Sequence, residues 1–377
     1  MLAICSDLDE TPDAASYFTI SRYLNTREKT AIGEGVGLEV GNTLFFDMAP
    51  GEFSYGHATE DEQARVHALI RSGHIDCLHS FGDLATTRAH AERALDVLNQ
   101  HDCRIRCWVD HAVAPTNLGP DIMQGHGDDP DHAAYHTDLT VAQGLRYVWL
   151  GRVTSCMGQN VPYTPTTGLA AERSLKSVVN TARDGAKMLQ AALGGAKYAM
   201  HRGNRLMRPY MLRDGQQVTE FIRCNPHPHG VSVGDHALGV GAALHQPALE
   251  RLAERRGVAI VYTHLGKHVR APELFPAETR QAFERLRSAS LSGATLVAST
   301  VRVLDYVAAR DSVEVSRSPG HVALALDEDL SPEGLAFRWC GAPPVVTVNG
   351  REVSTVTHTE DGHQWISIPW RHLTYPV

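Results

Sequence analysis

Short apolar runs alternate along this chain with segments in which apolar residues recur every three or four positions. Runs of this length indicate buried strands, and the recurring spacing indicates helices. The strand candidates lie at residues 2–6, 75–79, 105–110, 147–151, 219–224, 258–264 and 295–299. The helical patterns include residues 85–99, 171–193, 247–256 and 277–288. Strands that alternate with helices predict an α/β fold with a parallel sheet, and about seven such units predict a distorted (β/α) barrel.

A glycine-rich region interrupts this alternation at residues 31–56. It contains Gly33, Gly35 and Gly37 ahead of the apolar run at residues 43–46. We expect a β-hairpin insertion there. The glycines do not form a nucleotide-binding fingerprint, because no helical pattern begins at them and their spacing differs from that motif.

The pattern changes again after Arg310. Residues 311–377 contain short strand-like runs separated by turn residues, and Asn349-Gly350 is typical of a type I′ hairpin turn. These features predict a small C-terminal β-sandwich. We therefore expect a barrel domain at residues 1–310 and a β-sandwich at residues 311–377. The β-sandwich carries no cluster of the metal-binding type, so we assign it a packing or substrate-positioning role.

The composition argues against several classes of partner. The 377 residues carry a formal net charge of −8, so the chain lacks the basic footprint of proteins that bind nucleic acids or anionic membranes. The seven cysteines are scattered and include no C-x-x-C pair, which disfavours a disulfide framework or a thiol zinc site. The N-terminal residues show no signal-peptide pattern. We expect a cytoplasmic protein with no nucleic-acid or membrane partner, and leave a homo-oligomer open.

Four of the apolar runs end at an aspartate or a histidine. The carboxyl ends of parallel strands meet at one edge of the sheet in α/β folds, so these side chains are expected to share one pocket. The groups are Asp7 with Asp9, His79 with Asp83, Asp110 with His111, and His264. Histidine serves proteins both as a metal ligand and as an acid–base group, and the chain has 21 of them.

Each of these positions has a chemical and a structural interpretation. Residues two apart in an extended chain face the same side, so one carboxylate of Asp7 and Asp9 could bind a cation while the other accepts a proton from water. Asp9 also suits an exposed turn. His79 and Asp83 are suitable ligands for zinc, although Asp83 also suits a helix N-cap. His264 is a candidate to protonate a leaving amine, or a hydrogen-bonded core residue.

Together these motifs resemble the polysaccharide deacetylases of the NodB-homology type, which are metal-dependent N-deacetylases on a distorted (β/α) barrel. The likeness depends on the acidic pair after the first strand, the His-Ser-x-x-ligand motif at His79 and the late strand that ends in His264. It implies that Asp7 is the base and His264 the acid. Asp9, His79 and Asp83 would then bind a divalent ion, with zinc expected. The implied substrate is a carbohydrate or related small molecule that carries an N-acyl group.

Several residues depart from the family pattern. Leu8 separates the two aspartates, and Asp83 stands where the family has a second metal-binding histidine. A segment with His111 and Asn117 takes the place of the family's arginine-containing third motif, and we assign substrate binding to both residues. Arg152 ends another strand and is a further candidate to bind a substrate hydroxyl or anion.

A polar cluster at residues 126–138 offers a second candidate metal site. His132 and His136 are four residues apart and could share one face of a helix as ligands. A solvated loop beside the active site explains the cluster equally well.

Two other functions remain open from the sequence. Residues 7–11 match D-x-D-x-T, the first motif of haloacid dehalogenase-like phosphatases, in which Asp7 would be phosphorylated with Asp9 and magnesium assisting. That interpretation leaves His79 and His264 without roles. The other alternative is a catalytically inactive carbohydrate-binding protein on the same scaffold. We expect a metal-dependent hydrolase that removes an acyl group, N-acetyl above all, from a carbohydrate or related amide.

Overall fold

The computed structural model describes residues 1–7, 10–112, 114–163, 175–227, 234–270 and 272–376, with residues 175–177 described by their backbone alone. The chain divides into two compact units. The first comprises Met1–Thr300 together with Thr374–Val377, and the second comprises Val301–Leu373. The division at Val301 precedes the boundary that we expected after Arg310.

Strands and helices alternate through most of the first unit. Its strands are β1 (Leu2–Ser6), β2 (Gly41–Leu44), β3 (Ile75–His79), β4 (Cys107–Val109), β5 (Tyr147–Trp149), β6 (Val153–Thr154), β7 (Met207–Met211), β8 (Gln217–Phe221), β9 (Arg223–Cys224) and β10 (Ala259–Thr263). Its helices are α1 (Ala14–Asn25), α2 (Glu60–Arg71), α3 (Arg88–Gln100), α4 (Thr137–Ala142), α5 (Leu175–Ala192), α6 (Val240–Ala243), α7 (Gln246–Glu254) and α8 (Ala277–Leu291). Short 3-10 segments lie at Tyr55–His57 and Ala196–Asn204.

The ten strands form one sheet in the order β6-β9-β10-β1-β2-β3-β4-β5-β8-β7. All neighbouring strands are parallel except β7 and β8, which are antiparallel. The sheet is curled into a half-barrel. The expected α/β class with a mainly parallel sheet is therefore confirmed, whereas the barrel of about seven strands is not.

Two segments differ from the sequence prediction. Gly41–Leu44, expected within a hairpin insertion, is instead a parallel strand between β1 and β3. All four of its residues are buried, so it belongs to the centre of the sheet. The apolar run at residues 295–299 contributes only a bridge between Leu2 and Val297.

Local sequence signals explain where the helices begin. Thr59 accepts a hydrogen bond from the backbone of Glu62, whose side chain accepts one from the backbone of Thr59, so α2 starts with a capping box. Asp13 caps α1 by accepting from Ser16. Caps of this kind typically stabilise a helix by about 1 kcal/mol. Among the described residues, no helix combines the length and apolar character needed to cross a membrane.

The second unit begins within α9 (Thr300–Ser312) and contains two small sheets. The strands are β11 (Glu314–Ser318), β12 (His321–Ala325), β13 (Ala336–Arg338), β14 (Val345–Val348), β15 (Arg351–Glu352), β16 (Val356–Glu360) and β17 (His363–Ser367). One sheet has the order β11-β12-β14-β15 and the other has the order β13-β17-β16. Buried side chains from both sheets, such as Val322 and Ile366, form a single apolar cluster.

Candidate active site

Three predicted site residues meet at the carboxyl edge of the curled sheet. Asp7 follows β1, His79 ends β3 and His264 follows β10. Strands β1 and β10 are parallel neighbours with Ser6 opposite Thr263, so Asp7 and His264 leave the sheet side by side. Oδ2 of Asp7 lies 3.4 Å from Nε2 of His79 and 4.0 Å from Nε2 of His264. Two imidazoles therefore converge on one carboxylate oxygen.

The backbone sets the tautomer of both imidazoles. Nδ1 of His79 lies 3.1 Å from the carbonyl oxygen of Val109, and Nδ1 of His264 lies 2.7 Å from that of Asp235. A carbonyl oxygen only accepts hydrogen bonds, so each Nδ1 carries the hydrogen and donates it. Nε2 of each ring, directed at Asp7, is then the nitrogen that gains or loses a proton.

A buried arginine neutralises the carboxylate at the centre of this site. Nη1 of Arg223 donates to Oδ1 and Oδ2 of Asp7 at 2.8 and 2.7 Å. The guanidinium lies between two aromatic rings, 3.5 Å from the ring centre of Trp149 and 4.4 Å from that of Tyr262. A cation over aromatic faces is stabilised most where water is excluded. Arg223 is thus held both by charge and by its aromatic neighbours.

This arrangement keeps Asp7 ionised. Burial by itself raises the pKa of the Asp7 carboxyl, but the charge of Arg223, together with His79 and His264, outweighs burial and lowers that pKa to about 2. A carboxylate with so low a pKa is a weak base at neutral pH. The geometry suits Asp7 better to stabilising a protonated imidazole than to abstracting a proton from water.

Buried thiols lie on the strands that carry this site, with Cys5 on β1, Cys77 on β3 and Cys107 on β4. Sγ of Cys5 is 3.9 Å from Oδ1 of Asp7 and accepts from Nη1 of Arg223 at 3.4 Å. A hydrogen bond with Cys77, and then burial, raise the pKa of Cys5 well above its ordinary value. Burial also raises the pKa values of Cys77 and Cys107. A thiolate nucleophile is therefore not expected at this site.

A second aspartate–histidine pair lies next to His79. Oδ1 of Asp83 is 2.8 Å from Nδ1 of His111. The ring of His111 stands edge-on to that of His79 with 4.7 Å between the ring centres, and Phe45 contacts both rings. The side chain of Asp83 is 44% exposed and that of His111 is 15% exposed, against 2% for His79. This pair is the more accessible part of the site.

Asn117 fixes the loop that carries His111. Its Oδ1 accepts from the backbone nitrogen of His111 at 2.9 Å, and its Nδ2 donates to the carbonyl oxygen of His111 at 2.9 Å. Asn117 is fully buried. The structure thus gives Asn117 a role in shaping the loop, and brings His111 but not the amide of Asn117 to the accessible side.

Asp110 holds the same loop from the other end. This buried carboxylate accepts hydrogen bonds from Nε1 of Trp108 and from the backbone nitrogens of Leu118 and Gly119, each at 2.8 Å. Burial raises the pKa of Asp110 to about 7, even though the three hydrogen bonds act to lower it. The loop that presents His111 is therefore anchored on a group that titrates near neutral pH.

Arg152 is paired within the protein. Its Nη2 lies 2.8 Å from Oδ2 of Asp121, and its Nη1 lies 3.0 Å from Oε1 of the buried Glu220, which also pairs with Arg208 at 2.6 Å. Two carboxylates already neutralise this guanidinium. Its geometry fits a structural ion-pair network better than the predicted binding of a substrate anion.

The expected metal ligands are only partly brought together. Asp9 lies outside the described residues, and Asp83 contacts His111. In the part of the chain that the structure describes, no three Asp, Glu, His or Cys side chains are grouped so that they could hold a metal ion. Asp7 is near both histidines but already accepts from Arg223, whose charge opposes a divalent cation at the same oxygens.

The second candidate metal site is not assembled either. His136 is fully buried and its Nε2 lies 2.8 Å from the carbonyl oxygen of Thr116. His132 stacks instead on His126, with 4.1 Å between ring centres. Burial lowers the pKa of His136 to about 4, as suits a neutral structural histidine.

Sequence reasoning missed Arg223 and its aromatic neighbours. A signal was present, because Arg223 stands inside the apolar run at residues 219–224 and a charge there requires a buried partner. The sequence does not identify that partner, because Asp7 lies 216 residues earlier. Tyr262 was part of a predicted strand, and its hydroxyl proves to lie 3.3 Å from Nε2 of His264.

No protein-family model, no curated protein and no solved structure matches this chain.

Proposed function

We propose that this protein is a hydrolase that removes an acyl group from a carbohydrate or related amide, and that His79 and His264 are its acid–base pair. The observation that supports this most is the approach of both Nε2 atoms to one oxygen of Asp7, at 3.4 and 4.0 Å. Acid–base catalysis of acyl transfer to water needs one group that accepts a proton and one that donates a proton. Two imidazoles beside one permanent negative charge meet that need.

The contacts of the two imidazoles indicate which one donates a proton and which one accepts a proton. Oδ2 of Asp7 lies 3.4 Å from Nε2 of His79 and can stabilise a proton there, so we assign His79 the role of general acid. His264 is farther from Asp7, and its Nε2 also lies 3.3 Å from the hydroxyl of Tyr262. We assign His264 the role of general base, which reverses the role that the deacetylase likeness implied.

The proposed reaction balances with protein groups and water alone. Nε2 of His264 takes a proton from water as the water oxygen bonds to the acyl carbon. The bond from that carbon to nitrogen then breaks, and His79 gives its Nε2 proton to the departing nitrogen. The products are a carboxylic acid and an amine. Proton exchange with solvent restores both imidazoles, and Asp7 stabilises whichever one is charged.

The deacetylase likeness also implies a divalent ion. The described donors do not fit one, because Arg223 already neutralises the carboxylate that faces both histidines. The proposed steps therefore use the chain's own groups. Metal analysis of the purified protein belongs in any test, since Asp9 is a candidate ligand outside the described residues.

The two alternatives make different demands on Asp7. A phosphatase of the haloacid dehalogenase type needs an accessible carboxylate oxygen to attack phosphorus. Asp7 is buried and both of its oxygens accept from Arg223, which disfavours that role. A binding protein without catalysis would need neither imidazole to exchange a proton.

The test is release of acetate from a panel of N-acetylated oligosaccharides, with phosphate release from phosphomonoesters assayed in parallel. The His264→Gln variant is compared with wild type. His101→Gln, at an exposed residue that follows α3 and precedes the start of β4, is the matched control, because it lies at the sheet edge opposite the site. Acetate release that is lost only in His264→Gln supports the proposal. Phosphate release, or binding of oligosaccharides without turnover, would favour one of the alternatives instead.

A further inference from the structure

Strand β16 is an open edge of the second unit. It pairs on one side with β17, and every residue of the unit is described, so its other side has no partner strand within the unit. All five of its residues, Val356–Glu360, are exposed. An edge strand presents backbone N–H and C=O groups that can pair with another strand.

The composition of β16 favours such pairing. Val356, Thr357 and Thr359 are β-branched residues that suit strands, and Val356 remains 48% exposed. Proteins usually protect edges with lysine, proline or very short strands. β16 contains neither lysine nor proline. The opposite edge of the same sheet, β13, is protected by its length of three residues.

The polar side chains on β16 complement a second copy of the same strand. His358 and Glu360 are two residues apart and share one face of the sheet. If two β16 strands run antiparallel about a two-fold axis at Thr359, His358 of each copy lies opposite Glu360 of the other. An imidazole directly across from a carboxylate can donate a hydrogen bond to it, and such cross-strand pairs stabilise the pairing. Within its own sheet Glu360 is opposite His363, and the added strand places the imidazole of His358 opposite it on the edge that faces away from β17.

We propose that two copies of this chain associate through β16 and that Thr359 lies on the two-fold axis. The three-stranded sheets of the two copies then join into one six-stranded sheet. A closed two-fold contact of this kind cannot extend into a filament. Because a single strand buries less surface than a standard interface, we expect a weak dimer, with Kd on the order of 100 µM.

Sedimentation velocity of the full chain tests this proposal, from about 5 µM to about 1 mM so that the range spans the expected Kd. Glu360→Lys places a cation opposite His358, and His358→Glu places a carboxylate opposite Glu360. Each change removes both imidazole–carboxylate pairs, and His358→Glu also makes two like-charge pairs, so each should weaken the dimer by about tenfold or more. The combined His358→Glu/Glu360→Lys variant restores both pairs and should dimerise again. Glu352→Lys, on the edge strand β15 of the other sheet, should have no effect.

A cross-link tests the position of the two-fold axis. In a Cys340→Ser background, which removes the exposed thiol, Thr359→Cys should form a disulfide between copies under mild oxidation, because residues on the axis face each other. Thr357→Cys should not. The proposal is overturned if the wild-type protein stays monomeric at the highest concentration. It is also overturned if Glu360→Lys, His358→Glu and the combined variant all dimerise as strongly as the wild type.

Discussion

Nη1 of Arg223 donates to both carboxylate oxygens of Asp7, and neither side chain reaches solvent. Residues 216 positions apart in sequence thus share one buried charge pair. Nε2 of His79 and Nε2 of His264 lie 3.4 and 4.0 Å from Oδ2 of Asp7, and this carboxylate stays negative across the physiological range of pH. Both stability and the proposed chemistry depend on this relationship.

Removing the charge of one member of the Asp7–Arg223 pair should lower the free energy of unfolding much more than removing both charges. Asp7→Asn leaves a buried guanidinium without its counter-charge, which typically costs about 3–5 kcal/mol, whereas replacing both partners by uncharged groups is often nearly neutral. We therefore expect Asp7→Asn/Arg223→Met to be more stable than Asp7→Asn. Urea denaturation of the two single variants and the double variant measures this coupling. If the free-energy changes of the two single variants add up to that of the double variant, the pairing is contradicted.

The same pair should influence stability in acid. The folded-state pKa of Asp7, about 2, is below the value near 3.8 expected when unfolded. Its contribution is therefore complete above pH 5 and is lost as pH falls from about 4 through about 2, an effect on the order of 2 kcal/mol. Denaturation between pH 2 and pH 5, pH values chosen to bracket both pKa values, should show a steeper loss in wild type than in Asp7→Asn/Arg223→Met. Equal slopes in the two proteins would show that the pKa of Asp7 is not lowered in the folded state.

Asp110 should produce the opposite pH dependence. Its folded-state pKa, about 7, is raised above the unfolded value of 3.8, so the folded protein binds the proton more tightly. That contribution is complete below about pH 4 and is lost as pH rises from about 4 through about 7, an effect on the order of 4 kcal/mol. Wild type should lose stability relative to Asp110→Asn over this range. Asp96→Asn, on the exposed face of α3, serves as the control and should follow wild type.

Asn117 should matter for the loop rather than for substrate contact. Asn117→Ala removes the side chain that both accepts from and donates to the backbone of His111, and leaves buried polar groups without partners. We expect a loss of about 1–3 kcal/mol in the free energy of unfolding and faster amide hydrogen exchange at His111 and at residues 116–123. Asn99→Ala, at an exposed residue, should change neither the stability nor the exchange rates. Normal exchange in the Asn117→Ala loop would refute this role.

The sequence predicts the strand ends well because buried parallel strands are short apolar runs, and a polar residue marks where each run stops. That signal located Asp7, His79 and His264. It failed at Gly41–Leu44, because the glycines that precede this strand resemble a turn. The small residues of the strand instead allow it to pack at the centre of the sheet. The partners of Asp83, Arg152 and Arg223 depend on tertiary contacts that no local pattern encodes.

The central claim is that His264 and His79 perform hydrolysis beside an ionised Asp7 without a metal ion in the reaction. The most direct measurement is the rate of acetate release from an N-acetylated oligosaccharide by protein treated with a strong chelator, for wild type and His264→Gln. We expect the treated wild type to retain its rate and His264→Gln to lose about 10²- to 10⁴-fold. A rate that disappears on chelation and returns with zinc, or normal turnover in His264→Gln, would contradict the claim.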